Sequence, residues 1–148
     1  IMFVILNISD SDKHWNEWIL EYSKRLGKAV VIENIKPIKN WTQAQIIEKE
    51  TDLILERLEK KYKDWNKILL SKEWKNYSTE DLWKFLWKQK NVFIIWWPYW
   101  TNENKLINFG IKRISFGKIT LPHWLAKLVL LEQIYRIGSI NSGKKYHY

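Results

Sequence analysis

The residues of this chain best suited to chemistry lie near its C-terminus: Leu121-Pro122-His123, then Glu132, Tyr135 and Arg136 on a long apolar stretch, then Ser139-Ile140 and the tail Lys144-Lys145-Tyr146-His147-Tyr148. Arg136 carries a permanent positive charge that can hold a phosphate or stabilise an anion. Tyr146 and His147 add a phenol and an imidazole beyond the helix. Glu132 stands one turn before Arg136, at the spacing that pairs side chains on a helix. If buried it needs that partner, because an unpaired carboxylate is costly to desolvate. The plainer reading is a structural Tyr-Arg pair followed by a terminus with no fixed structure. A helix that only packs, however, has no need of these parts in this order. Elsewhere the usual site signatures are missing. His14, His123 and His147 have no metal-ligand spacing, and there is no cysteine, so no metal site is expected. Neither Gly-x-Gly-x-x-Gly nor Gly-x-x-x-x-Gly-Lys occurs, which excludes the Rossmann dinucleotide fingerprint and the P-loop.

Alternating strands and helices must position these residues, and that alternation predicts an α/β fold with a mostly parallel sheet flanked by helices. Phe3 to Ile8 reads as a strand, Lys13 to Leu26 as a helix with Trp15, Trp18, Ile19, Tyr22 and Leu26 on one face, and Ala29 to Ile35 as a second strand closed by Pro37. Thr42 with Gln45 forms a capping-box signature for a helix to about Lys61, its stripe being Ile46, Ile47, Leu53, Ile54 and Leu58. Lys67 to Leu70 is a short strand, and Ser78 with Asp81 starts a helix to about Gln89. Trp83 and Trp87 widen its core stripe, in preference to forming a stacking surface with the neighbouring lysines. Val92 to Ile95, wholly apolar, is the central strand. Thr101 caps a short helix through Lys105 and Ile107, with Gly110 at its left-handed end. Ile111 to Phe116 is the last strand, Gly117 to Leu121 a turn, and Pro122 suits the first turn of the final helix. Ligands of open α/β sheets bind beyond the carboxyl ends of the strands. That singles out the residues after Leu70, the loop Trp96 to Trp100 and the turn Gly117 to Pro122.

A chain of 148 residues, 46% hydrophobic and 28% charged, accommodates one domain, residues 1–148. Its apolar runs are shorter than the roughly 20 residues that span a bilayer. Ile1 to Ile8 is too short, and too uncharged at its start, for a signal peptide, so a cytoplasmic protein is expected. A formal charge of +9 favours a polyanionic partner, RNA first, against the alternative of a lysine-rich solvated surface. Eleven tryptophans beside five glycines is an unusual exchange.

The pattern Leu121-Pro122-His123, Glu132-x-x-Tyr135-Arg136, Ser139-Ile140 and terminal Tyr146-His147 resembles the C-terminus of the SPOUT-class RNA methyltransferases. Within that class it is similar to the RlmH family, which methylates N3 of a pseudouridine in large-subunit ribosomal RNA. The length and element order of the whole chain agree. One segment departs from the family pattern: where the family has a Gly-Gly-Pro-x-Gly loop, this chain has Trp96-Trp97-Pro98-Tyr99-Trp100. Trp18 and Trp74 likewise fall where the family often carries glycine. An engineered variant, a drifted homologue without activity, or a chain whose glycines are read as tryptophan would carry this exchange.

The resemblance implies a C-terminal trefoil knot (the SPOUT or α/β-knot fold), a homodimer with the terminal helices at its seam, and S-adenosylmethionine as cofactor. It implies that main-chain groups of Leu70, Ser71, Trp97, Gly117, Lys118, Ile119, Thr120, Leu121 and Pro122 hold the donor. It further implies Arg136, Tyr146 and His147 as the catalytic side chains, with one subunit's tail completing the other's site on ribosomal RNA. The alternative from another class is a catalytically silent, knotted RNA-binding or structural dimer, its donor pocket blocked by Trp96, Trp97 and Trp100, because tryptophan tolerates neither close approach nor positive φ as glycine does.

Overall fold

The computed structural model describes residues 2–9, 16–72, 75–96 and 103–144, with residues 16, 96 and 103 described in their main chain only. The elements run β1 (Met2–Ile8), α1 (Asn16–Leu26), a short 3-10 turn (Gly27–Ala29), β2 (Val30–Ile35), α2 (Gln43–Lys61), β3 (Asn66–Leu70), α3 (Thr79–Leu86), β4 (Lys90–Trp96), α4 (Glu103–Asn108), β5 (Lys112–Ile114) and α5 (His123–Asn141). The five strands form one sheet in the order β2-β1-β4-β3-β5, and every pairing is parallel. The expected alternation is thus realised as a parallel sheet flanked by helices, with β4 at its centre.

Alternation within each strand sorts the apolar side chains onto two faces. Phe3, Ile5, Ile68, Phe93, Ile95 and Ile114 meet α1, α3 and α5 through Ile19, Leu82, Leu86, Leu130, Leu131, Ile134 and Ile137. On the other face, Val4, Leu6, Ile8, Leu69, Val92 and Ile94 meet α2 and α4 through Ile54, Leu58 and Leu106. Central strands buried on both faces need continuous apolar sequence, which is what Val92 to Ile95 supplies.

Helix boundaries follow their local chemistry. Thr42 and Gln45 exchange the two hydrogen bonds of a capping box, starting α2 as its sequence predicts. The Ser78 hydroxyl accepts the Asp81 N–H and starts α3. That helix ends at Leu86, three residues before the expected Gln89. Buried Asn91, at the start of β4, donates its side-chain amide to the carbonyls of Leu86 and Gln89 at 3.1 Å each, closing the helix with a group from a later strand. Lys88 turns the chain at φ +57°. The last strand is also shorter than expected, because Ser115 turns its N–H to the Lys75 carbonyl beyond the ladder. Gly110, at φ +75°, ends α4 as predicted. Thr101, its expected cap, lies outside the described residues, as do the segments 97–102 and 145–148 on which the expected knot and tail depend.

Candidate functional site

Strand order brings the C-terminal ends of β4, β3 and β5 side by side, Leu69 opposite Ile94 and Leu70 opposite Ile114. Beyond the ladder the last two are stitched together by main chain. Ser71 donates its N–H to the Ile114 carbonyl at 2.8 Å, Ser115 donates to the Lys75 carbonyl at 3.2 Å, and Asn76 and Ser115 form a parallel bridge. The buried Ser115 hydroxyl then folds the following turn: it accepts the Gly117 N–H at 3.1 Å and donates to the Gly117 carbonyl at 2.9 Å. Gly117 has φ +117°, which strains any L side chain, although a Cβ there would meet nothing within 4 Å. The glycine is therefore demanded by the backbone, and the space above it is open.

From Lys118 to Leu121 no main-chain group is hydrogen-bonded to another described residue. Lys118, Ile119 and Thr120 are exposed. Pro122 then caps α5 with φ −60° and ψ 150°, and its carbonyl accepts the Ala126 N–H at 3.0 Å. The proline therefore stands just before the first helical residue, His123. A turn with open space over its glycine and uncommitted N–H and C=O groups suits a ligand read by main chain.

On α5 the anticipated ion pair is present. Arg136 places Nε at 3.0 Å and Nη2 at 2.6 Å from one oxygen of Glu132, with both side chains about four-fifths buried. The other Glu132 oxygen accepts from Gln133 Nε2 at 2.7 Å, and Gln133 in turn accepts the Thr79 hydroxyl of α3 at 2.8 Å. This chain of bonds fixes the guanidinium from two helices. Tyr135 points elsewhere: its ring lies 6.0 Å from that of Tyr22 on α1, edge-on, and Arg25 sits over both rings.

The family profile described as Predicted SPOUT methyltransferase matches residues 2–147. The chain belongs to the SPOUT methyltransferase family. Similar proteins named Ribosomal RNA large subunit methyltransferase H include one from Mesoplasma florum, 33% identical, with 86% of each chain covered. Another, from Fusobacterium nucleatum, is 34% identical with 92% of each covered, and one from Parabacteroides distasonis is 30% identical over 100% of this chain and 98% of its own. Among solved structures, Ribosomal RNA small subunit methyltransferase E from Neisseria gonorrhoeae, bound to S-adenosyl methionine, superposes with a TM-score of 0.59 at 16% identity. It covers 92% of this chain, which spans 66% of the solved one, and the likeness shows the shared SPOUT fold.

Of the residues expected in the SPOUT site, Leu70, Ser71 and Gly117 are joined by the described contacts, with Lys118 to Pro122 continuing from them. Arg136 lies on α5 in its own bonded chain, and no described contact links it to that turn. Trp96 ends β4. Trp97, Trp100, Tyr146 and His147 lie outside the described residues. Among the buried polar residues that the sequence does not single out are Ser115 and Lys127. Ser115 is 4% exposed and organises the Gly117 turn; nothing in a lone serine announces that. Lys127 is also 4% exposed, on the stripe that carries Leu130, Leu131 and Ile134. Its signal was present, one turn beyond His123 at core spacing, where an apolar residue is the rule. Trp83 packs against the core as expected, and Trp87, just past the helix end, lies beside it with ring centres 5.3 Å apart and planes tilted by 54°. Trp18 is 58% exposed on α1. Among the described residues no group of His, Asp or Glu could hold a metal ion.

Proposed function

We propose that this chain is an S-adenosylmethionine-dependent RNA methyltransferase that methylates N3 of a pseudouridine in large-subunit ribosomal RNA, in the cytoplasm. The observation that carries this reading is its 30–35% identity, over most of both chains, to proteins named for large-subunit ribosomal RNA methylation. The single domain, residues 1–148, closes as a C-terminal trefoil knot, its last helix passing through a loop made by the preceding elements. Main-chain groups of Leu70, Ser71, Trp97 and Gly117 to Pro122 hold the donor, and the open Gly117 turn supports that assignment. When bound, the donor supplies an electrophilic methyl group on sulfur. Arg136, held by Glu132, stabilises the anionic ring left when the N3 proton passes to water, and Tyr146 and His147 of the tail contact the base. Positioning of this kind can supply about 7–11 kcal/mol of a barrier.

A homodimer is part of the same reading. Leu125, Val129, Glu132, Arg136 and Ile140 recur at three- and four-residue spacing along α5, on the side away from the buried stripe, and all are half-buried. That is a seam for a second copy, which would bring the partner's tail to this site.

Calorimetric titration with S-adenosylmethionine, followed by transfer of labelled methyl to large-subunit RNA, tests the proposal. Binding on the order of micromolar, with label at a pseudouridine, is the expected result. The second reading, a silent scaffold whose pocket is filled by Trp96, Trp97 and Trp100, is favoured by tryptophan at the family's three glycine places, and absence of donor binding would establish it in place of the first.

A further inference from the structure

The outer edge of the sheet beside α3 carries a run of cations and rings that the methyl-donor site does not use. Lys75 Nζ lies 5.6 Å from the centre of the Tyr77 ring, Tyr77 lies 5.5 Å from Phe85, and Lys112 Nζ lies 5.0 Å over Phe85. Both lysines are exposed, whereas the two rings are half-buried against the core, so packing holds the rings still and leaves the ammonium groups in water. Each ammonium brings three donors, and resting over a ring uses none of them fully. The strip lies along β5, the last strand in the order of the sheet. It also begins at the site itself, since the Lys75 carbonyl accepts the Ser115 N–H and Ser115 holds the Gly117 turn.

Packed aromatic rings flanked by exposed cations match the chemistry of an unpaired nucleic-acid strand, whose bases stack and whose phosphates need positive charge. A duplex hides its base faces, so it could use only the charges. We propose that Lys75, Tyr77, Phe85 and Lys112 form the track on which a single-stranded segment of the RNA substrate lies as it enters the site. This rests on the reading of the chain as an RNA methyltransferase, and goes beyond it by placing the RNA.

Fluorescence anisotropy with a labelled single-stranded oligoribonucleotide of about 16 nucleotides, across a salt series, tests the track. The double variant K75Q/K112Q should bind about tenfold more weakly and lose about 0.7 from the salt slope for each phosphate contact removed. F85L should weaken binding without changing the slope, because stacking is insensitive to salt. K60Q/K63Q, at the end of α2 and just beyond it, which removes the same charge from residues 71% and 73% exposed, should bind as the parent does. Equal losses in the two lysine pairs, or a duplex of the same length bound as tightly as the single strand, would overturn the proposal in favour of a diffuse basic surface. So would unchanged affinity in K75Q/K112Q, which is expected to keep its fold. Donor titration of the same variant separates the two readings: retained S-adenosylmethionine binding with weakened RNA binding supports both, whereas methyl transfer intact at parental RNA affinity removes the track alone.

Discussion

At Gly117 one backbone angle carries the turn. A Cβ would find room there, so Gly117→Ala tests strain and not crowding; it should cost about 1–3 kcal/mol in a denaturant melt and weaken donor binding by calorimetry. A melt unchanged from the parent would mean that the turn relaxes without cost. Arg136 makes a separable prediction. Glu132 holds its guanidinium on α5, and its assigned role is to stabilise the target ring, so Arg136→Ala should lower kcat by about a hundredfold while leaving donor affinity near the parent value. Equal losses in both would make it a structural residue. At the tryptophan loop, W96G/W97G/W100G should tighten donor binding at least tenfold if indoles crowd the pocket, since glycine alone allows main chain to approach a ligand closely. Unchanged affinity would clear them of blocking it.

Among the elements, β2 and α2 share an ionic knot of side chains away from the site. Glu33 on β2 accepts from Arg57 at 3.0 Å, Lys61 at 3.1 Å and the Tyr62 hydroxyl at 2.5 Å. Burial pushes the Glu33 carboxyl up, but the bonds from Tyr62 and Lys61 and the charges of Lys61 and Arg57 outweigh it, leaving it below its ordinary 4.5. Burial, then Glu33 itself, raises the Tyr62 phenol above its ordinary 10.0. A lowered carboxylate stabilises the fold above its unfolded value and ceases to do so as pH falls through its folded one; a raised phenol does so below its unfolded value and ceases as pH rises through its folded one. The cluster should therefore contribute fully from about pH 5 to about pH 10. Glu33→Gln should flatten the acid limb of stability measured by melts below pH 5, and a limb as steep as the parent's would assign it to other groups. The same helix depends on its start: Thr42→Ala removes the capping-box acceptor and should cost about 1 kcal/mol.

For the whole molecule, the excess of positive charge and the seam on α5 make opposite demands. Copies carrying +9 repel one another, while burial of Leu125, Val129 and Ile140 on the half-buried stripe favours pairing. Light scattering should give a mass of twice 18.1 kDa that persists at high salt, where repulsion is screened. A monomer at all salt concentrations would remove the dimer and, with it, a partner's tail at this site.

The sequence alone determined the order of strands and helices, the centrality of Val92 to Ile95, the capping of α2 and α3, and the Glu132–Arg136 pair, because each depends on residues within a turn or on a local apolar run. The early end of α3 needed Asn91, a residue of the following strand, and the short β5 needed Lys75, far behind it in the chain. The pairing of Leu70 with Ile114, which leads into the Gly117 turn, needed the strand order, which no local period encodes. Buried Ser115 became visible only when the core closed around it, whereas Lys127 already stood at core spacing on α5. Contacts between residues distant along the chain are set by how whole elements pack, and only the folded structure carries that information.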